Sequence, residues 1–222
     1  MNWKNNVEST LAPLCAVIGT LSVMLREWSY TGEVADRGND LTQCELCGHC
    51  NIRYQFLIRN RSNDNRLLIG SECIKRFGIE GLDEKGNTIN AKQTATKVDK
   101  DLNRLAEQAR RKRVNDALHA TSALRGAENF ITYHEERGAF TPDQLKWILP
   151  VLRIYGTEVN PVDFRMIIRR DREKAQLTRM QLWQIQHLWP SMSKAQRQWY
   201  RESKRLPSEW SPGPPRIRDI AA

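Results

Sequence analysis

The segments CELCGHCNIRYQFLIRN (residues 44–60) and LLIGSECIKRF (residues 67–77) decide the fold of the first part of this 222-residue chain. Cys44 and Cys47 are separated by two residues, as in a zinc knuckle, and Cys73 returns after the intervening residues. Clustered thiols without a secretion signal favour a metal over disulfides. The pattern predicts one structural Zn²⁺ site in a reducing, cytoplasmic compartment.

The fourth zinc ligand is left open by the spacing. Zinc units of this order often carry a second cysteine three residues into the helix, and that position is Arg76 here. His49 and Cys50 are the nearby alternatives, and we favour His49; a water or a partner's side chain is the remaining option. The zinc segment lacks the HExxH pattern and the paired motifs of zinc deaminases. We therefore predict a structural zinc and no catalytic residue.

The residues between the cysteines predict a β-hairpin. Ile52 to Arg59 alternates apolar and polar side chains, and Leu67 to Gly70 forms a return strand after a polar turn. A short helix that contains Cys73 follows, and Gly78 ends it. Knuckle, hairpin and helix in this order predict a treble-clef-like zinc unit over residues 44–80.

The rest of the chain is predicted to be mainly helical. We expect an N-terminal segment over residues 1–43, which contains a helix from Val7 to Trp28 and an irregular linker over 31–43. A basic helical domain is expected over 88–206, followed by an extended Pro-rich tail over 207–222. The uncharged stretch 11–25 is too short to span a bilayer, so no membrane association is expected. The predicted fold is mainly α with a small zinc β-hairpin, and α+β overall.

Capping signals recur in the last third of the chain. Gly138 predicts the end of one helix, and a polar residue followed three positions later by glutamine, or an Asn-Pro pair, predicts the start of others. The predicted starts are Thr141 with Gln144, Asn160 with Pro161, Thr178 with Gln181, and Ser193 with Gln196.

Positive charge is concentrated after residue 90. Residues 1–90 hold 10 Lys or Arg and 11 Asp or Glu, whereas residues 91–222 hold 25 and 15. Such an asymmetry favours binding to a polyanion, most commonly nucleic acid. We expect three of the arginines to share one helical face because they are spaced by four and three residues. The candidate nucleic-acid contacts are Arg110, Arg111, Lys112, Arg113, Arg165, Arg169 and Arg172, the last three forming that face.

The two zinc segments resemble the zinc-bearing part of poorly characterised proteins of phages, prophages and other bacterial mobile elements. Those proteins typically show CxLCGHxxIRYxFxIxN and then GSECI. The later block, from FTPDQL to LWPSMSKAQRQWY (residues 140–200), is similar to their helical extension. The resemblance implies His49 as a zinc ligand, because the histidine after CG recurs there, and it implies a biological setting without an established activity.

The leading functional hypothesis is a zinc-stabilised, non-enzymatic nucleic-acid-binding or accessory protein. One alternative is a protein-binding adaptor or inhibitor of a host or defence complex. A second alternative is a nuclease-like enzyme. The partner is therefore expected to be nucleic acid or a protein complex, and no small-molecule substrate is expected.

Overall fold

The computed structural model describes residues 3–121 and 126–215. The chain divides into two compact units, Met1–Ala106 and Glu107–Ala222. Helices and a sheet are both present, so the predicted α+β class is confirmed. No helix in the described ranges has the length and apolar character needed to cross a bilayer.

The first unit is built on a five-stranded mixed sheet with the strand order β3-β2-β1-β4-β5. Strands β2 and β3 pair antiparallel, which confirms the predicted hairpin. Strand β1 pairs antiparallel with β2 and parallel with β4, and β4 pairs antiparallel with β5. The strands are β1 (Trp28–Asp36), β2 (Tyr54–Asn60), β3 (Arg66–Ile69), β4 (Glu80–Leu82) and β5 (Thr88–Ile89).

The predicted helix from Val7 to Trp28 is wrong. The chain instead forms α1 (Trp3–Leu11), a 3₁₀ turn and a short α2 (Leu21–Leu25). The Glu27 carboxylate accepts hydrogen bonds from the amides of Ala16 and Val17 at 2.8 and 2.7 Å. A continuous helix would need those amides for its own ladder, and it would also have to accommodate Pro13 in its interior.

The predicted linker is also wrong in its first part, because β1 continues to Asp36. Trp28 and Tyr30 of this strand are fully buried, and the Tyr30 ring meets Phe56 edge-on at 5.7 Å. The pairing with β2 shifts register between Tyr30 and Val34, where Gly32 has a φ of +92°. A glycine suits this position because other residues are strained at positive φ.

The helices of the second half surround a separate apolar core. Phe140 and Phe164 belong to this core; their ring centroids are 6.0 Å apart and both side chains are almost fully buried. The unit boundary falls inside α4, and short 3₁₀ turns precede α7 and α9. After α3 (Ser71–Arg76), the helices are α4 (Ala91–Ala120), α5 (Ala127–Arg137), α6 (Pro142–Ile154), α7 (Asp171–Arg179), α8 (Leu182–Leu188) and α9 (Lys194–Ser203).

Two of the four predicted helix starts are confirmed as α-helical capping boxes. The side chains of Thr141 and Ser193 each accept a hydrogen bond from the amide three residues later. The side-chain oxygen of the glutamine at that position accepts one from the amide of the cap residue. Asn160 starts only a 3₁₀ turn. Thr178 is not a helix start, since it lies inside α7; the cap of the next helix is Gln181.

The predicted helix end at Gly138 is confirmed, whereas the predicted extended tail after residue 206 is not. Gly138 ends α5 with a φ of +68°, as expected. The tail is not simply extended, because Trp210 packs 5.5 Å from Trp189 and 6.0 Å from Tyr200. The tail residues 216–222 lie outside the described residues.

Candidate metal centre and arginine cleft

Three cysteine thiols converge in the first unit. The Sγ atom of Cys73 lies 3.6 Å from that of Cys44 and 3.4 Å from that of Cys47. Cys44 and Cys73 are buried and Cys47 is half-buried. The three side chains form a group whose ligand atoms all lie within 4.8 Å of one another, so they can hold a metal ion.

The knuckle and the hairpin position these thiols through backbone hydrogen bonds. The Cys44 amide donates to the His49 carbonyl and the Gly48 amide donates to the Cys44 carbonyl, each at 2.8 Å. Gly48 has a φ of +74°, which allows the tight turn. The Gly70 amide donates to Cys44 Sγ at 3.4 Å, and α3 presents Cys73 in its first turn. Amide dipoles and the helix N-terminus both favour thiolates at this place.

The donor set fits a tetrahedral thiophilic metal. Ligands at about 2.3 Å from zinc lie about 3.8 Å from one another in a tetrahedron, close to the observed sulfur separations. Those separations exclude disulfides, whose sulfurs are about 2.05 Å apart. The Cys73 thiol hydrogen bond lowers the pKa of Cys44, while the same contact raises the pKa of Cys73.

The two candidates for a fourth ligand, His49 and Cys50, differ in their position relative to the three thiols. Neither the His49 imidazole nor the Cys50 thiol belongs to the group of converging side chains within the described residues. Both side chains are exposed. His49 lines the same cavity of about 690 Å³ as the three cysteines, whereas Cys50 does not line it. The Cys50 thiol instead points to the Gly48 carbonyl at 3.5 Å.

Glu45, which follows the first cysteine, has a structural role that the sequence did not reveal. Its amide donates to the Leu68 carbonyl at 3.1 Å, and its carboxylate accepts from the Leu68 amide at 2.5 Å. The knuckle thereby pairs with β3, an edge strand of the sheet. This contact closes an otherwise open strand edge next to the thiols.

Arg110 does not lie where a nucleic-acid contact must lie. Its side chain is buried, and its guanidinium donates to Glu107 at 2.7 and 3.0 Å. It also donates to the carbonyl of Gly138 at 2.7 Å and to that of Asp163. Arg110 therefore serves inside the second unit, where it joins α4 to the carbonyls of Gly138 and Asp163, and its buried guanidinium is not presented to an external ligand.

The other predicted contacts separate into two groups. Lys112 is exposed and pairs with Asp116 at 2.6 Å, while Arg113 makes a two-point contact with Asp163 at 2.9 Å. The remaining four line one cleft of about 760 Å³ in the second unit. These four are Arg111, Arg165, Arg169 and Arg172.

The expected helical face of Arg165, Arg169 and Arg172 does not exist, because α7 begins only at Asp171. The preceding segment is extended: the Phe140 amide donates to the Arg165 carbonyl at 2.8 Å, and the Ile167 amide donates to the Phe140 carbonyl at 2.7 Å. The extended segment nevertheless brings the three arginines to the same cleft.

Two further arginines of the cleft were not among the candidate residues. Arg137 comes from the end of α5, and Arg170 lies just before α7. Arg170 is adjacent in sequence to the candidate Arg169, and this arginine-rich stretch indicates from the sequence that Arg170 can extend the same basic surface. No local signal identifies Arg137, because it is remote in sequence from the other cleft residues.

Comparison of the chain with models of known protein families, with curated proteins and with solved structures found no match.

Proposed function

We propose that this chain is a zinc-stabilised, non-enzymatic nucleic-acid-binding or accessory protein. The observation that carries the proposal is the separation of two chemistries between two compact units. Three thiols converge in the first unit, and arginine side chains line a cleft in the second. The proposed setting, a phage or mobile element, rests only on the resemblance of the cysteine segments and of the block over residues 140–200.

The proposed metal is Zn²⁺, bound by Cys44, Cys47 and Cys73. Thiolate-rich sites of this size favour zinc, and structural zinc sites are usually closed by a fourth protein ligand. His49 is the proposed fourth ligand because it lines the cavity beside the thiols. When bound, the metal would neutralise the thiolates and add folding free energy.

The proposed zinc unit is treble-clef-like. The knuckle precedes the β2–β3 hairpin, and α3 follows with Cys73 in its first turn. A metal in this arrangement would connect the knuckle to the start of α3. It would thereby fix the hairpin, whose Phe56 and Ile69 side chains are fully buried in the core of the unit.

Zinc binding is tested by metal analysis of four proteins purified without chelator. We expect one zinc per chain in the wild type and a clear loss in Cys73→Ser, together with a lower melting temperature. The His49→Ala and Cys50→Ser variants form the matched pair for the fourth ligand. Weaker zinc binding in His49→Ala alone supports the proposed ligand set, whereas weaker binding in Cys50→Ser alone refutes it. A metal-free wild-type protein would refute the zinc site.

The proposed nucleic-acid binding is supported by the charge of the second unit. Arg137, Arg169, Arg170 and Arg172 are exposed, and their side chains make no ion pair within the described ranges. Unpaired guanidinium groups can contact phosphates without first breaking an internal bond. They form one group in space because all four line the same cleft.

Salt dependence tests this part of the proposal. Fluorescence anisotropy with a labelled oligonucleotide measures affinity from low to moderate salt. If about four phosphates are contacted, the logarithm of the affinity constant should fall with the logarithm of the salt concentration, with a slope of roughly −3. Absence of binding at low salt would refute nucleic-acid binding.

A protein-binding adaptor is the second candidate, and a specific observation favours it. The side chains of Trp147 and Tyr155 are 64% and 63% exposed, and Ile154 is 50% exposed. Large exposed apolar side chains on one helix and at its end are typical of protein contacts. Complex formation that persists at high salt, without oligonucleotide binding at low salt, would favour this candidate.

A further inference from the structure

We infer that the arginine cleft of the second unit is a binding site for the phosphate group of a nucleotide. The ligand would be either a nucleotide within a single strand or a free nucleotide. This inference rests on the proposed function and deepens it, because it assigns the phosphate contact to one concave site. The arginines that carry it are Arg111, Arg137, Arg165, Arg169, Arg170 and Arg172.

The side chains that line the cleft have an excess of positive charge. Six arginines are opposed by three glutamates, Glu107, Glu136 and Glu173. Two of these glutamates are already engaged in the structure. Glu107 forms ion pairs with the buried Arg110 and with Arg111 and Arg165. The Glu173 carboxylate accepts hydrogen bonds from the backbone amides of Arg169 and Arg170 at 2.7 and 3.0 Å. The internal acids therefore leave several guanidinium groups for an external anion.

The cleft is held in shape from two sides. The segment before α7 is fixed to Phe140 by its two backbone hydrogen bonds, and the first turn of α7 is fixed by Glu173. Glu173 is itself buried. An arginine site with a fixed backbone loses less conformational entropy on binding than one on a mobile loop.

Size and lining favour a nucleotide over a bare anion. A volume of about 760 Å³ lies within the usual range of about 300–1,000 Å³ for small-molecule sites. The half-buried Tyr133 and Ile168 contribute an apolar part of the wall. Guanidinium forks match phosphate oxygens, and an aromatic face can stack a base.

Paired variants with equal charge changes test the assignment. The cleft variant is R169Q/R172Q, and the control R153Q/R179Q removes two exposed arginines that do not line the cleft. Binding is measured with a single-stranded 12-mer bearing a 5′-phosphate, the same 12-mer with a 5′-hydroxyl, and adenosine monophosphate. We expect the cleft variant to lose at least about tenfold in affinity per arginine, because each contributes a charge-assisted hydrogen bond. The control should change less than about threefold.

The three ligands distinguish the source of the phosphate. Loss for both oligonucleotides supports an internal phosphate, loss for the phosphorylated one alone supports a strand end, and loss for the monophosphate alone supports a free nucleotide. Equal loss in the cleft variant and the control would overturn the cleft assignment and leave nucleic-acid binding intact. Wild-type protein that binds none of the three would overturn both the cleft assignment and the proposed function.

Discussion

Replacing Arg110 with alanine should destabilise the second unit strongly. The guanidinium is buried and serves three groups: the Glu107 carboxylate and the carbonyls of Gly138 and Asp163. Removing it leaves two carbonyl acceptors and part of a carboxylate without their donor. Each unsatisfied acceptor costs about 1–3 kcal/mol, and breaking a buried ion pair costs about 3–5 kcal/mol. Because these costs overlap, we expect a total loss of about 3–5 kcal/mol.

The measurement is urea unfolding followed by circular dichroism, with Lys112→Ala as the matched control. Lys112 is two residues away on the same helix, and its side chain is 76% exposed. The control should change the free energy of unfolding by less than about 0.5 kcal/mol. In a thermal melt, the Arg110→Ala loss corresponds to a decrease of roughly 10–20 °C for a unit of this size. A loss below about 1 kcal/mol, or one equal to the control, would refute the structural role of Arg110.

The same contact predicts a dependence on pH. Hydrogen bonding from Arg110 lowers the pKa of Glu107 from 4.5 to about 2. The ionised Glu107 carboxylate therefore stabilises the folded state above pH 4.5, and this contribution is lost as the pH falls towards 2. The wild type should lose this increment in acid, and Arg110→Ala should lose less. An identical acid dependence of the two proteins would contradict the assignment.

Three further changes test the second unit. Thr141→Ala removes the capping hydrogen bond of α6 and should cost about 1 kcal/mol in unfolding free energy; no measurable change would contradict the cap. Trp210→Ala removes ring contacts with Trp189 and Tyr200 and should cost about 2 kcal/mol, whereas an unchanged melting temperature would mean that the tail does not pack there. Burial, with the nearby charge of Arg110, lowers the pKa of His134 from 6.5 to about 4. As the pH falls, His134 is therefore protonated in the unfolded chain before it is protonated in the folded protein. The free energy of unfolding should therefore fall between pH 6.5 and 4, and His134→Gln should remove that slope; a persisting slope would contradict it.

The features that the sequence predicted correctly depend on short-range contacts. The capping boxes at Thr141 and Ser193 are made between residues three apart, and Gly138 ends its helix through its own φ. The β2–β3 hairpin is closed by a local turn. Such interactions are encoded in neighbouring residues, so composition and spacing reveal them. The cysteine spacing likewise identified the three thiols that converge.

The features that the sequence did not reveal depend on partners far away in the chain. Strand β1 forms because β2 and β4 pair with it on its two sides. The helix predicted before it, from Val7 to Trp28, is interrupted because the Glu27 carboxylate accepts hydrogen bonds from the amides of Ala16 and Val17. From the sequence, Arg110 is predicted to be a surface charge. It is buried in the structure because its guanidinium donates to the carbonyls of Gly138 and Asp163.

Local chemistry thus determined where helices start and which thiols can share a metal. Only the tertiary structure decided which arginines are buried and which line a cleft. The reason is that the burial of a charge depends on the groups packed around it, and for Arg110 those groups come from three separate parts of the chain, at Glu107, Gly138 and Asp163.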